Sequence, residues 1–186
     1  MTEDRHFGGH MQKFNYTEIN TERLLLRTLT DSDAGMLKNL LSEDYENEEA
    51  ALEHIRWINS GANGTRLIFN LFIWPKQVGQ CVGRVYLHSK PEIDYEVEIG
   101  YFISEGHRNN GYVTEAAKAI IQFAFEKADQ DVLVAIIHSG NAPSQRVIRK
   151  LGFTNYGVRD VLSDDGEIEE MDYFRLYRND WQASAK

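Results

Sequence analysis

The chain has 186 residues, of which 42% are hydrophobic and 26% charged, a composition typical of a folded globular protein. Twenty lysines and arginines against 29 aspartates and glutamates give a net charge of −9, which disfavours nonspecific binding to nucleic acid or anionic membranes and mildly favours cationic partners. The longest nearly apolar stretch, 67–74, is much shorter than the roughly 20 residues of a membrane-spanning helix. A single cysteine, Cys81, excludes an internal disulfide and fits a reducing cytoplasm.

The N-terminal residues 1–16 are predicted to form a flexible arm, because they lack apolar periodicity. They also lack the apolar segment of a secretory signal. Gly8 and Gly9 separate His6 from His10 and disfavour the helix that would present both histidines to a metal, so no metal site is predicted. A single domain is predicted over 17–182.

The first part of this domain alternates strand and helix patterns. A strand is predicted over 23–29, followed by N-cap side chains at 30–33 and a helix to about Ser42. A second amphipathic helix is predicted over 47–59, with a glycine-containing stop at 61–64. Three strands should follow, over the ranges 67–74, 80–88 and 94–104, with short breaks that suit hairpins.

The second part has a different pattern. It predicts a helix with a broad apolar face over 113–127 and a strand buried on both faces over 132–137. A short helix closed by glycine should follow over 144–151, and then two final strands over 154–162 and 168–178. The order β α α β β β α β α β β indicates an α+β fold, with one mixed sheet and helices packed on it.

The loop before the third helix has the features of an anion-binding site. The first amides of a helix have no intrahelical partner and carry partial positive charge, which suits a phosphate or pyrophosphate. Gly111 permits close approach, Asn109 and Asn110 tolerate left-handed conformations, and Arg108 adds positive charge. An ordinary capped helix after a tight turn explains the same residues. Neither a Walker A loop nor the dinucleotide fingerprint is present.

Four segments resemble the GNAT N-acetyltransferases, most closely the RimJ/RimL-type branch. RNNGYVTEA at 108–116 is similar to the acetyl-CoA loop of that branch, usually RGxGYATEA. TERLLLR at 21–27 resembles its opening strand, and EIGY at 98–101 its central strand. NAPS at 141–144 followed by KLGF at 150–153 resembles its second cofactor motif. The segments occur in family order. Asn109 and Val113 depart from the usual glycine and alanine.

The resemblance implies a GNAT-type, mostly antiparallel sheet of about seven strands with about four helices. The sheet would be splayed between the strands at 94–104 and 132–137, with acetyl-CoA in the gap and no metal. Pantetheine would pair with the backbone of Phe102, Ile103 and Ser104, and Asn141 would bind the pantetheine arm or cap its helix. The pyrophosphate would bind amides of the loop and helix start: Arg108, Asn109, Asn110, Gly111, Tyr112, Val113 and Thr114.

The implied reaction is acetyl transfer to a primary amine by direct attack on the thioester. Many family members carry a tyrosine as proton donor where this chain has Ile148. Ser144 is the remaining hydroxyl near the expected sulfur, and it would hydrogen-bond the leaving thiolate or only cap the helix. Glu98 is the first choice for the base, directly or through water, and Glu96 shares its face of the strand as the alternative.

Other candidate residues have structural interpretations. Glu115 suits the first turn of its helix, Tyr112 packing beside the cofactor, His138 a strand end, and Cys81 the core. Two acidic runs, 43–53 and 160–172, are interpreted either as solvated surface or as groups that attract a protonated amine or basic peptide.

Several identities of the acceptor stay open: a ribosomal-protein or other peptide N-terminus, a polyamine, an aminoglycoside or an amino acid. Alternative functions are a non-catalytic CoA-binding or sensing domain and a nucleotide-binding module unrelated to CoA. A homodimer is compatible with the resemblance.

Overall fold

The computed structural model describes residues 18–60, 68–89, 96–162 and 168–184. The predicted N-terminal arm lies outside the described residues. The breaks predicted at 61–64, 90–91 and 163–166 also lie outside them, as does much of the second acidic run.

The described residues form one eight-stranded sheet and five α-helices. The strands are β1 (Glu18–Asn20), β2 (Leu24–Arg27), β3 (Ile68–Pro75), β4 (Gly83–Ser89), β5 (Val97–Ile103), β6 (Val132–His138), β7 (Thr154–Leu162) and β8 (Ile168–Tyr177). The helices are α1 (Ala34–Leu40), α2 (Glu48–Ser60), α3 (Tyr112–Glu126), α4 (Ala142–Lys150) and α5 (Arg178–Ser184). The α+β fold with a mixed sheet is confirmed. The sequence did not predict β1, which is only three residues long, or α5, which directly follows β8.

The sheet is splayed at its centre, as the family resemblance implies. Its strand order is β1-β2-β3-β4-β5-β6-β8-β7, and every neighbouring pair is antiparallel except β5 and β6. These two parallel strands pair at one position, Glu98 with Val134, and separate beyond it. The opening therefore lies between the carboxyl-terminal ends of β5 and β6.

Helix α3 covers one face of the sheet. Its apolar residues recur at helical spacing and are fully buried, as Ala116, Ala117, Ile120, Ile121 and Ala124 show. They pack with the inward residues of the strands into the main core. The broad apolar face predicted for this helix is confirmed.

Helices α1 and α2 cover part of the opposite face. Leu37 and Ile55 pack there with Phe72 of β3 and Phe102 of β5 in a second, smaller core. Because side chains alternate along a strand, Glu98 points to this same face of β5 as Phe102. The two faces of β5 thus look toward different helices.

An ion pair fixes the start of α1. Thr30 and Asp33 form a capping box around a 3-10 turn, Asp31–Asp33, that leads into the helix. Arg27 donates two hydrogen bonds to the Asp33 carboxylate, each 2.8 Å long. Hydrogen bonding from Arg27 outweighs the opposing effect of burial and, with further hydrogen bonds from Thr30, lowers the pKa of Asp33 to about 2. The helix ends at Leu40, slightly before the predicted end.

Candidate active site

The β5–α3 loop turns sharply just before the helix. Gly111 precedes α3 with a φ of 77°, and Asn109 has a φ of 64°. Both angles lie in the left-handed region, which glycine adopts freely and asparagine tolerates. Asn109 therefore adopts a backbone conformation that also suits the glycine usual in the GNAT motif.

The start of α3 leaves three backbone amides without a partner inside the helix. Glu115 donates its amide to the carbonyl of Gly111 at 3.0 Å, the first hydrogen bond of the helix. The amides of Tyr112, Val113 and Thr114 precede that bond and have no intrahelical partner. They are the groups that a helix N-terminus offers to an anion.

Hydrogen bonds within the loop hold it in this shape. The side chain of Asn110 donates to the carbonyls of His107 and Arg108 at 3.1 and 3.2 Å. Arg23 donates to the carbonyl of Asn110 at 3.0 Å. The Asn110 side chain thus shapes the loop.

Glu115 ties the helix to the first strands. Its carboxylate accepts hydrogen bonds from Thr21 Oγ1 at 2.6 Å and from the amide and Nε of Arg23 at 2.9 and 2.6 Å. Burial raises the pKa of Glu115, but the hydrogen bonds from Thr21 and Arg23 outweigh it and the net shift is downward. This geometry agrees with a structural role.

A cavity of about 690 Å³ lies beside these amides. The end of β5, the loop, the start of α3 and one side of α4 surround it. It collects ten of the twelve residues predicted to bind the cofactor: Phe102, Ile103, Arg108, Asn109, Gly111, Tyr112, Val113, Thr114, Asn141 and Ser144.

Ser104 and Asn110 do not line the cavity. The amide of Ser104 donates to the carbonyl of Val82 at 2.8 Å, and its hydroxyl forms a 3.0 Å hydrogen bond with His107 Nδ1. The hydrogen bonds of Ser104 and Asn110 therefore hold the loop in shape.

The cavity also includes cationic groups that the sequence reasoning missed. Arg146 and Lys150, four residues apart on one face of α4, join Arg108 around it. Their i, i+4 spacing next to a suspected cofactor motif was a usable signal. Tyr101, His107, Pro143 and Val147 were missed as well.

The start of α4 brings Asn141, Ser144 and Tyr101 together. Asn141 Oδ1 accepts a 3.2 Å hydrogen bond from the amide of Ser144, so Asn141 caps the helix. The Tyr101 hydroxyl donates to the carbonyl of Ser144 at 3.0 Å. Burial raises the pKa of Tyr101 to about 12, against a smaller opposite effect of that hydrogen bond. Ile148, at the position of the usual tyrosine, is fully buried.

Glu98 lies on the face of β5 that is directed toward α1 and α2, and it does not line the cavity. It sits where β5 and β6 meet, at the apex of the opening. His88, its cross-strand neighbour on β4, contacts it through Nε2, 2.5 Å from Glu98 Oε2. The two side chains are only 19% and 14% exposed for His88 and Glu98 respectively. They form a partly shielded carboxylate–imidazole pair.

Glu96 shares the face of Glu98 but has different partners. The Tyr173 hydroxyl donates to it, and Arg175 Nη2 lies 2.5 Å from Glu96 Oε1. Arg159 approaches to 4.0 Å and also stacks on the Tyr173 ring. Glu96 is thus engaged by two arginines and a tyrosine, whereas the side chain in contact with Glu98 is His88.

A second cavity, of about 730 Å³, lies between β1 and α3. It shares Gly111, Thr114 and Lys150 with the first cavity but extends away from the opening of the sheet. Four glutamates and four cationic side chains line it, so it lacks the excess of positive charge found around the first cavity: Glu18, Glu22, Glu115, Glu126, Arg23, Lys118, Lys127 and Lys150.

Two further residues have structural environments. His138 Nδ1 accepts the amide of Gly140 at 3.1 Å and thereby shapes the turn after β6. Cys81 is buried in the smaller core, as predicted, and burial raises its pKa to about 11.

The described ranges contain no group of three or more histidine, cysteine, aspartate or glutamate side chains that could hold a metal ion. Among the helices described, none has the length and apolar character needed to cross a membrane.

Comparison with known proteins identifies the family. The acetyltransferase (GNAT) domain family matches residues 23–154. The chain belongs to this family, and the family resemblance predicted from the sequence is confirmed. It is accordingly an N-acetyltransferase, an enzyme of the acyltransferase class.

Its relatives and structural neighbours agree with this assignment. The uncharacterized N-acetyltransferase YoaA of Bacillus subtilis is 25% identical over 170 residues, which cover 86% of this chain and 96% of YoaA. A putative ribosomal-protein-serine acetyltransferase from Vibrio cholerae has a TM-score of 0.72 at 22% identity, with 86% and 97% coverage. RimL, a ribosomal L7/L12 alpha-N-protein acetyltransferase in complex with coenzyme A, has a TM-score of 0.72 at 17% identity, also with 86% and 97% coverage. The two structures show that the fold is shared.

Proposed function

We propose that this chain binds acetyl-CoA in the 690 Å³ cavity and transfers the acetyl group to a primary amine that approaches from the opposite face of the sheet. One observation carries the proposal: unpaired helix amides, three cations and the opening of the sheet meet at one cavity. Similarity to RimL, whose structure contains coenzyme A, supports it. The lone, buried cysteine is consistent with action in the cytoplasm.

The residues around the cavity fit the chemistry of acetyl-CoA. The amides at the start of α3 suit the diphosphate, because they combine free donors with the positive end of the helix dipole. Arg108, Arg146 and Lys150 add charge for phosphate groups. Asn141 and the backbone of Phe102 and Ile103 would hold the pantetheine arm. Acetyl-CoA supplies the activated thioester.

The acceptor must lose a proton before it attacks. Glu98 would accept that proton, directly or through one water molecule, because its carboxylate lies at the apex of the opening. His88 would fix the orientation of Glu98 through their 2.5 Å contact. Glu98 is therefore proposed as the base and His88 as its positioning residue.

The negative charge that develops on the leaving sulfur of coenzyme A also needs stabilisation. The nitrogen–carbon bond forms as the carbon–sulfur bond breaks, and the thiolate takes up a proton. Ser144 lines the cavity and, among the described residues, none forms a hydrogen bond with its hydroxyl. That hydroxyl would donate to the sulfur where many relatives use a tyrosine.

The acceptor is proposed to be a peptide N-terminus or a small amine. A ribosomal protein is one candidate, because similar structures include ribosomal-protein acetyltransferases. The competing function is a non-catalytic CoA-binding or sensing domain, which the buried Ile148 in place of the usual tyrosine favours.

Calorimetric titration with acetyl-CoA, combined with a thiol-release assay on an amine panel, tests the proposal. The panel contains peptide N-termini, polyamines, aminoglycosides and amino acids. We expect saturable binding and release with at least one amine. Binding without release on any amine would favour the sensing domain, and tighter binding of ATP than of CoA would contradict the CoA site.

A further inference from the structure

Unpaired polar atoms cluster on the sheet face that α1 and α2 partly cover. In the described part of the chain, three buried side-chain atoms lack a hydrogen-bond partner: Asn70 Oδ1, Trp74 Nε1 and Arg84 Nε. Asn70, Phe72 and Trp74 lie on the same face of β3, because side chains two apart on a strand point the same way. Arg84 of β4 lies opposite Phe72. Buried polar groups are normally paired, so this cluster indicates a place where an external group supplies the missing partner.

Arg84 is the charged member of the cluster. No carboxylate of the described residues lies within salt-bridge distance of it, although its guanidinium lies 5.4 Å from the Tyr86 ring centroid. An arginine is charged at any physiological pH, and a partly buried charge without a counter-ion is unfavourable. A planar carboxylate is the ligand that best satisfies it.

Two polar side chains lie near enough to Arg84 for its charge to act on them: Tyr45, between α1 and α2, and His54 of α2. Burial lowers the pKa of His54, and the positive charge of Arg84 lowers it further. Burial raises the pKa of Tyr45 and the same charge opposes that rise. Asp44, which is exposed, acts on both groups in the opposite sense to Arg84. The rings of Tyr45 and His54 lie 5.4 Å apart, and the charge of Arg84 acts on both, so a ligand at Arg84 would lie near these two side chains.

The cluster continues directly into the proposed reaction site. Arg84 pairs across the sheet with Phe102, which lines the cofactor cavity, and His88 pairs with Glu98. Arg84 and His88 lie four residues apart on one face of β4, about 13 Å at 3.3 Å per residue. The Arg84 guanidinium lies beside the ring of Tyr86, which stands between these two positions on β4, so the gap that an acceptor must span is shorter than the backbone distance.

We propose that Arg84 binds a carboxylate of the acceptor, so that the enzyme prefers amines that carry a carboxylate close to the amino group. This inference rests on the proposed function. The carboxylate comes from a free amino acid or from an acidic side chain next to a peptide N-terminus. Arg84 acts as a specificity-determining residue, and Tyr45 and His54 add hydrogen-bonding groups.

Matched acceptors and variants test this inference. Thiol release is measured with an amino acid and its carboxamide, and with C-terminally amidated tripeptides that carry Glu or Gln at the second position. The proteins are the wild type, Arg84→Gln, Arg84→Lys and the exposed control Arg56→Gln, with thermal unfolding as the check on folding. The acceptor pair for which the enzyme shows the larger difference in kcat/KM identifies the source of the carboxylate, a free amino acid or an acidic side chain.

We expect the wild type to prefer the carboxylate of one pair at least tenfold in kcat/KM. Arg84→Gln should abolish that preference through KM while activity on the uncharged acceptor stays near the wild-type value. Arg84→Lys should restore part of the preference, and Arg56→Gln should leave it unchanged. Equal preference in the wild type and a folded Arg84→Gln variant, or no preference in the wild type, would overturn the inference while acetyl transfer itself stands.

A binding measurement separates this result from failure of the proposed function. If no amine releases thiol, an N-acetyl amino acid and its carboxamide are titrated calorimetrically into the CoA-saturated protein. Tighter binding of the carboxylate that is lost in Arg84→Gln supports the carboxylate site without turnover. Equal dissociation constants for the two compounds overturn it.

Discussion

Substitution of Gly111 separates the backbone conformation of the cofactor loop from its charge. At φ 77°, an added Cβ would have Arg23 Nη2 as its nearest neighbour, at 3.4 Å. Alanine therefore fits, and its main cost is the left-handed conformation, about 1 kcal/mol. The loop needs this conformation with or without the cofactor, so the cost should lower the free energy of unfolding and leave the affinity for acetyl-CoA nearly unchanged.

Aspartate at the same position adds a negative charge next to the proposed diphosphate site. Two unit charges about 5 Å apart repel by about 0.8 kcal/mol in bulk water, and a diphosphate carries two such charges. The sum, about 1.7 kcal/mol, corresponds to an affinity about fifteen- to twentyfold weaker. A site less polar than water increases this effect, whereas salt screening and pairing of the new carboxylate with Arg23 reduce it.

The assay is calorimetric titration of acetyl-CoA into wild type, Gly111→Ala and Gly111→Asp, with thermal unfolding of each protein in parallel. Both variants should be destabilised by a similar amount. Only Gly111→Asp should lose affinity, by about fifteenfold. A dissociation constant for Gly111→Asp within threefold of that for Gly111→Ala would remove the loop amides from the cofactor site.

Three other changes probe the proposed catalytic groups, Ser144 and Glu98, and the fold. Ser144→Ala should lower kcat more than it weakens acetyl-CoA binding, because a contact to sulfur strengthens as negative charge develops; turnover within twofold of the parent would leave Ser144 a helix residue only. Glu98→Gln should reduce turnover most at pH 7, where about one alkyl amine in 2,500 is neutral, and recover part of the deficit by pH 9.5. A deficit that is equal at every pH would make Glu98 a positioning residue. Asp33 has a pKa of about 2 because of Arg27, so its ionised form contributes about 2 kcal/mol above pH 4 and this contribution is lost as the pH falls toward 2. Urea unfolding should show Asp33→Asn destabilised by about that amount at pH 7 and much less at pH 2.5; an equal loss at both values would contradict the ion-pair explanation.

The element order and the conformation of the loop before α3 could be predicted because their signals are local. The apolar spacing of α3 and the Gly111 turn before it depend on neighbouring residues in the sequence. Strand β1 was missed because its three residues are too few to show a strand period. Helix α5 was missed because its seven mostly polar residues, directly after a strand, show no clear helical spacing of apolar residues.

The neighbours of the predicted base could not be read from sequence. His88 contacts Glu98 because the β4–β5 register places the two side by side, and the sequence does not fix that register. Alternation did place Glu96 on the face of Glu98. Its pairing depends on Tyr173 and Arg175 of β8, whose approach follows from the packing of the whole sheet.

Net charge is a poor guide to the chemistry of this molecule, because a site responds mainly to charges within the Debye length of about 10 Å. All six acids of the 43–53 run are exposed, where salt screens them. The proposed cofactor cavity instead is lined by Arg108, Arg146 and Lys150, and Arg84 lies partly buried on the proposed acceptor face. A chain of net charge −9 therefore presents cationic groups at both proposed binding surfaces. The preference for cationic partners suggested by composition applies to long-range attraction, whereas the carboxylate preference proposed at Arg84 depends on one local charge.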